Sequence, residues 1–105
     1  MLIFRLAKFL MMFSVIILMG ANGSSINGFV RNDLDGEPIS YANVFISNTS
    51  LGAATNRDGY FVISGIPSGE YELNVSMIGY AIHKESISLA DSASIRIEVR
   101  LKSQA

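Results

Sequence analysis

A strict alternation of apolar and polar side chains over residues 70–76 constrains the fold of this chain more than any other feature. Tyr71, Leu73 and Val75 would share one face of an extended strand, and the positions between them are polar. Because successive side chains of a β-strand point to opposite faces, the pattern predicts a half-buried antiparallel strand. Glycine-containing turn signals precede it, at Asp58-Gly59 and at Pro67-Ser68-Gly69, and they predict that further strands lie close by.

The same period of two recurs along most of the chain. A further strand region is predicted over residues 81–89, and the small, polar stretch 48–55 is predicted to be a connecting loop. Short strands with regular turn signals, and no helical period after residue 23, indicate an all-β sandwich. The other apolar residues that alternation places on the inward faces of strands are Ile26, Gly28, Val30, Ala42, Val44, Ile46, Phe61, Ile63, Ile95, Ile97, Val99 and Leu101.

The first 23 residues have the pattern of a secretory signal peptide. Arg5 and Lys8 precede an apolar run over residues 9–19, and small residues follow at Ala21 and Gly23. The run is shorter than the roughly 20 residues that a spanning helix needs. Cleavage after Gly23 is predicted, with cleavage after Ala21 and a retained N-terminal anchor as the alternatives. No cysteine is present to carry a lipid anchor, and we therefore expect an exported protein whose single folded domain is 24–105.

The charge balance argues against binding of nucleic acid. The chain has 8 Lys+Arg and 9 Asp+Glu, and removal of Arg5 and Lys8 leaves six cations against nine anions, a net charge of −3. The remaining charges form no basic block of the kind that neutralises phosphates. The chain has no cysteine, so the exported domain must be held together by its core without disulfides.

Residue types that carry catalysis or bind metals are sparse. His83 is the only histidine, and no metal-ligand spacing surrounds it. The serines before Gly65 and Gly69 belong to turns and not to a Gly-x-Ser-x-Gly nucleophile elbow. Asp33, Asp35 and Glu37 do not match the spacing of an EF-hand loop, so they are interpreted as a solvated turn. These features predict that the protein is not an enzyme and that it has no catalytic residue, no cofactor and no metal site.

Aromatic residues provide the candidate binding face. Alternation places Tyr41 and Phe45 on the outward face of one strand, and we expect Tyr60 to lie near them. Exposed aromatic rings can stack on sugars, so these three residues are the candidate ligand or partner face. The interpretation that we favour is packing under a loop or against a neighbouring domain, which is common for partly buried aromatics.

Six short motifs follow one another in order along the chain. They are Gly28-Phe29-Val30, Asp35-Gly36-Glu37-Pro38-Ile39, Ala42-Asn43-Val44-Phe45-Ile46, Thr55-Asn56-Arg57-Asp58-Gly59-Tyr60-Phe61, Gly65-Ile66-Pro67-Ser68-Gly69-Glu70-Tyr71 and Val75-Ser76-Met77-Ile78-Gly79-Tyr80. In this order and at this spacing they resemble one known family, the carboxypeptidase-like regulatory domain, also called the carboxypeptidase D regulatory-like domain. The resemblance extends over about residues 25–101. It implies a transthyretin-like (prealbumin-like) Greek-key β-sandwich of about seven strands.

The resemblance also implies a biological context, the N-terminal extension of TonB-dependent outer-membrane receptors, on the periplasmic side of the barrel. The sequence stops at Ala105 without a plug or barrel, so a stand-alone module and a truncated receptor both remain open. We therefore expect a non-catalytic accessory domain that binds a protein partner in the periplasm, at the periplasmic face of the outer membrane or after secretion. The alternatives are a carbohydrate-binding module and the regulatory domain of a metallocarboxypeptidase, detached from its catalytic domain.

Overall fold

Seven β-strands account for most of residues 23–104, the part of the chain that the computed structural model describes. This confirms the all-β prediction. The signal peptide predicted over residues 1–23 lies, apart from Gly23, outside the described residues. The strands are β1 (Ser24–Asn32), β2 (Asn43–Ile46), β3 (Gly52–Ala54), β4 (Tyr60–Ile66), β5 (Gly69–Ser76), β6 (His83–Leu89) and β7 (Ser94–Leu101).

The strands form two sheets that pack face to face. One sheet has the order β4-β1-β7 and the other the order β3-β2-β5-β6. Every neighbouring pair is antiparallel except β1 and β7, which run parallel from the pair Ser25–Ser94 to the pair Asn32–Leu101. Only the connections β2–β3 and β5–β6 stay within one sheet, and the other connections cross between the sheets. The first strand is the central strand of the three-stranded sheet, and the last strand lies beside it at one edge.

The core lies between the two sheets and contains the side chains that alternation placed inward. The side chains predicted to point inward from β1, β2, β4 and β7 are buried, except for Ile95, which is half-buried. In β5, Leu73 and Val75 are buried and Tyr71 is half-buried. The apolar pattern therefore predicts the core correctly, since each strand has one face on the other sheet and one face on solvent.

One strand was not predicted. Residues 48–55, interpreted as a loop, contain β3. Gly52, Ala53 and Ala54 have low intrinsic strand propensity, but they pair with Phe45, Val44 and Asn43 of β2. Backbone pairing with an existing sheet outweighs the weak local preference at this position. The predicted strand region 81–89 is confirmed from His83 onward.

The connections gather at two opposite ends of the sandwich. Strand directions place residues 47–51, 67–68 and 90–93 at one end, and residues 33–42, 55–59 and 77–82 at the other. Within residues 23–104, no helix is long and apolar enough to cross a membrane.

Candidate interaction face

The outward face of the three-stranded sheet carries an aromatic pair formed between β1 and β4. Phe29 of β1 lies opposite Tyr60 of β4, and their ring centroids are 5.2 Å apart at an interplanar angle of 52°. Both residues are half-buried. A tilted pair at this separation has the favourable edge-to-face character of aromatic contacts. The pair forms a rigid, partly exposed apolar patch on regular strands.

Two arginines flank the Phe29 ring. The guanidinium carbon of Arg31 lies 5.1 Å from the ring centroid and that of Arg96, on β7, lies 5.5 Å from it. Both distances are within the range of cation–π attraction. Arg31 Nε is also 3.7 Å from Glu98 Oε2. We call the set Phe29, Arg31, Tyr60, Arg96 and Glu98 the Arg–aromatic face.

The parallel pairing of β1 with β7 creates this arrangement. It places Arg96 beside Asn27, Glu98 beside Phe29 and Arg100 beside Arg31. Three arginines and one glutamate therefore share the outward surface of the two strands, although the domain as a whole has a net negative charge. Arg96, Glu98 and Arg100 are exposed, and Val62 of β4 adds an apolar side chain that is 43% exposed. Such a surface can bind a partner that presents carboxylates around an apolar centre.

The three aromatic residues singled out in the sequence do not form one face. Phe45 is half-buried on the outward surface of the four-stranded sheet, whereas Tyr60 lies on the outward surface of the other sheet. Tyr60 is therefore not near Phe45, because the core separates the two surfaces. Tyr41 precedes β2, is 71% exposed and has a φ of 61°. A ligand-binding role of Tyr41, Phe45 or Tyr60 remains a prediction.

Phe29, Arg31 and Arg96 were not identified as candidates from the sequence. All three alternate in the sequence with apolar residues that are buried in β1 and β7, so the period of two is a signal that could have placed them on the solvent side. What the sequence pattern lacks is the pairing partner, since Phe29 and Arg96 are far apart along the chain and meet only through the β1–β7 ladder.

The histidine and the acidic turn have local partners. His83 Nε2 is 3.0 Å from Glu85 Oε1 on the same strand. The Asp35 carboxylate accepts a hydrogen bond from the Glu37 backbone N–H, as expected of an Asx turn. Across residues 23–104, no three His, Cys, Asp or Glu side chains come together in a way that could hold a metal ion.

Comparison with known proteins identifies a family and a fold. The family model of the CarboxypepD_reg-like domain matches residues 26–105, which confirms the resemblance found in the sequence. Among curated proteins, none matches this chain.

Solved structures with the same fold come from bacterial proteins of low sequence identity. A chain of a type II cohesin–X-dockerin complex from Acetivibrio cellulolyticus is 20% identical, with a TM-score of 0.67 over 76% of this chain and 58% of that one. The pilus 2b backbone protein of group B streptococcus is 15% identical, with a TM-score of 0.62 over 77% and 41%. The TIE protein of Bacillus anthracis is 21% identical, with a TM-score of 0.63 over 76% and 16%. This chain thus spans less than two thirds of each, and the similarity concerns the sandwich fold.

Proposed function

Because this chain belongs to the CarboxypepD_reg-like domain family, we propose that it is a non-catalytic interaction domain that binds a protein partner through the Arg–aromatic face. The observation that carries the proposal is the pair of guanidinium groups held 5.1 and 5.5 Å from the centre of the Phe29 ring on an open sheet surface. Arginine and aromatic residues dominate the binding energy of protein interfaces.

The face is suited to recognition because little of it must be ordered on binding. Phe29, Arg31 and Tyr60 are already half-buried on regular strands, which lowers the entropic cost of association. The aromatic centre is surrounded by two arginines and one glutamate. This arrangement of charges provides specificity for a partner that presents carboxylates to the arginines. The similar chain from Acetivibrio cellulolyticus is itself part of a protein–protein complex, so this type of sandwich is compatible with such a role.

The partner that we propose is a TonB-dependent outer-membrane receptor system, with this domain exported to the periplasmic side of the outer membrane. Two observations support this context. The first is the signal-peptide pattern of residues 1–23. The second is the resemblance to the domains that extend such receptors at their N-terminus.

Site-specific photo-cross-linking in cells of the source organism tests this proposal. A photoreactive amino acid at Val62, beside the Arg–aromatic face, should cross-link to a polypeptide that contains a receptor plug and barrel. The matched control is the same amino acid at Ala54, which is exposed on β3 in the other sheet and should give no such product. The double variant Arg31→Glu/Arg96→Glu should remove the Val62 product. It also loses two cation–π contacts and the Arg31–Glu98 ion pair, so a modest fall in the unfolding temperature is expected, and a cooperative thermal transition shows that the variant is still folded. A receptor product that persists in this variant would contradict the proposed face, and cross-linking only to other proteins would contradict the receptor context.

A carbohydrate-binding role is the second candidate function, favoured by the 71% exposure of Tyr41 and by the outward position of Phe45. Sugar rings stack on aromatic side chains that are exposed in this way. Titration with millimolar oligosaccharides, followed by amide chemical shifts, tests it directly. Shifts clustered at Tyr41 and Phe45 would support glycan binding, and unchanged shifts at both would eliminate it.

A further inference from the structure

A groove lies on the four-stranded sheet, away from the Arg–aromatic face. Its volume is about 630 Å³, within the usual range for ligand sites of roughly 300–1,000 Å³. It extends along the first half of β5 and the second half of β6, with the β2–β3 turn as one wall. The residues lining it are Ser47, Asn48, Thr49, Glu70, Tyr71, Glu72, Ser86, Ile87 and Ser88.

The groove lies where one strand of the sheet is missing. β2 pairs with β5 only from Ile46–Leu73 to Asn43–Ser76, whereas β6 pairs with β5 as far as Gly69. The residues of β5 before Leu73 therefore have a strand on one side only. Beyond Ile46, the chain turns away through residues 47–51.

The turn that ends β2 is held in place by its own hydrogen bonds. The Thr49 hydroxyl donates to the Ile46 carbonyl at 2.9 Å and accepts from the Leu51 N–H at 3.1 Å. Asn48 adopts a φ of 62°. These contacts stabilise a turn that directs the chain away from β5, so β2 does not cover the groove.

The open side of β5 presents unpaired main-chain groups. The Glu72 carbonyl accepts from the Ser47 N–H at 3.0 Å, so the backbone groups of Glu72 point toward β2. In an antiparallel strand every second residue points the same way, and the N–H and C=O of Glu70 must also face the β2 side. Since β2 has ended, no main-chain group within residues 23–104 is positioned to pair with them.

The side chains around the open edge of β5 favour a positively charged ligand. Glu70 and Glu72 are exposed, on the same face as Ser86 and Ser88. Asn74 Nδ2 donates to Ser47 Oγ at 2.7 Å, and Ser47 Oγ donates to Glu72 Oε1 at 3.0 Å. This chain of hydrogen bonds orients the Glu72 carboxylate, and the residues lining the groove include no lysine or arginine. A cationic side chain bound here could contact the carboxylates of Glu70 and Glu72 and occupy the space over Ser86 and Ser88.

We propose that the groove binds an extended peptide segment carrying Lys or Arg, which adds to β5 as a strand in the place that β2 leaves open. The peptide pairs with the N–H and C=O of Glu70 in the antiparallel direction of β2. This is recognition by strand addition, in which main-chain bonds supply affinity and alternate side chains supply specificity. The cationic side chain opposite Glu70 points to the same face as Glu70 and meets both carboxylates.

A peptide fits the groove better than a sugar does. The aromatic residue lining it, Tyr71, is half-buried, and its hydroxyl donates to the Pro67 carbonyl at 2.7 Å. Its ring is thus not an open platform for stacking. The free donor and acceptor of Glu70, in contrast, have the spacing that an extended main chain requires.

The test uses the protein expressed from the full sequence and the probe acetyl-Thr-Lys-Thr-Lys-Thr-amide, with binding measured by amide chemical shifts. The proposal expects shifts at Glu70–Glu72 and Ser86–Ser88 that saturate with peptide. The same peptide with Glu in place of Lys should not bind. In the proposed register the Lys N–H groups face β5, so N-methylation of the Lys residues should abolish binding. N-methylation of the central Thr should leave it intact.

Variants of the protein give a second, independent readout. Glu70→Gln/Glu72→Gln should weaken binding about tenfold at low salt, because charge-assisted contacts are lost. The matched control Asp33→Asn/Glu37→Gln removes two exposed acids from the β1–β2 loop and should leave the affinity unchanged. The proposal would be overturned by any of three results. The Glu peptide could bind as tightly as the Lys peptide, the two N-methylation patterns could have equal effects, or only a neutral oligosaccharide could produce shifts. None of these outcomes depends on the Arg–aromatic face. A negative result here would therefore refute peptide binding in the groove without refuting the proposed function, and the reverse also holds.

Discussion

Thr55 is the residue on which the long β1–β2 connection depends. Its buried hydroxyl donates to the Ile39 carbonyl at 2.7 Å and accepts from the Ala42 N–H at 2.8 Å. The Thr55 backbone exchanges further bonds with Tyr41 and Ala42. One side chain thus links the segment before β2 to the segment after β3.

Replacement Thr55→Val should lower the free energy of unfolding by about 1–3 kcal/mol, because it leaves the Ala42 N–H and the Ile39 carbonyl buried without this partner. Thr55→Ser keeps the hydroxyl and should cost only about 0.5–1.5 kcal/mol for the lost methyl group. Urea denaturation measures both values. Equal stability of the Val variant and the original protein would show that the hydroxyl does not hold this connection.

Gly28 is required by the close approach of β1 to β7. A Cβ atom built at Gly28 would lie 1.7 Å from the Ile97 carbonyl oxygen, which belongs to the backbone and cannot rotate away. Gly28→Ala should therefore lower the free energy of unfolding by about 3 kcal/mol or more. Gly36→Ala is the matched control, since a Cβ there meets nothing within 4 Å although φ is +73°. It should cost only about 1–2 kcal/mol for the left-handed conformation, and equal losses in urea denaturation would contradict the steric explanation.

At the level of strands, alternation predicts which face each residue occupies but not which strand is its neighbour. Ile26 and Val30 are buried, and Phe29, which alternates with them in the sequence, lies on the opposite face of β1. The contact of Phe29 with Arg96 could not be predicted, because it follows from parallel pairing of the first strand with the last. The same limit explains the missed strand β3 and the expectation that Tyr60 lies near Phe45. Local patterns contain no information on which sheet a strand joins.

The contact between β1 and β7 on the Arg–aromatic face should be measurable as a coupling energy. In a double-mutant cycle, Phe29→Leu and Arg96→Met should show coupling of about 0.5–1 kcal/mol in the free energy of unfolding, as expected for a cation–π contact at an exposed site. The control cycle pairs Phe29→Leu with Arg100→Met, because Arg100 lies opposite Arg31 and not opposite Phe29. Its coupling should be close to zero, and equal coupling in the two cycles would rule out a specific contact between Phe29 and Arg96.

For the whole molecule, the shared hydrophobic core makes the two sheets one cooperative unit. Four connections cross between the sheets, and the buried side chains of both sheets form a single core cluster. Neither sheet has a second hydrophobic layer of its own. Local loss of β7 should therefore expose the core face of the other sheet as well.

Leu101→Ala tests this cooperativity, because Leu101 is fully buried at the end of β7. The cavity should lower the free energy of unfolding by about 2–5 kcal/mol. A loss of 2 kcal/mol raises the unfolded fraction by a factor of about 30, and amide hydrogen exchange should accelerate by the same factor in the slowest amides of β1 and of β5. Ile78→Ala, at a side chain that is 95% exposed, should change stability by less than about 0.5 kcal/mol. Acceleration confined to β1 and β7, with β5 unchanged, would mean that the sheets unfold independently, because a shared core cannot open on one side alone.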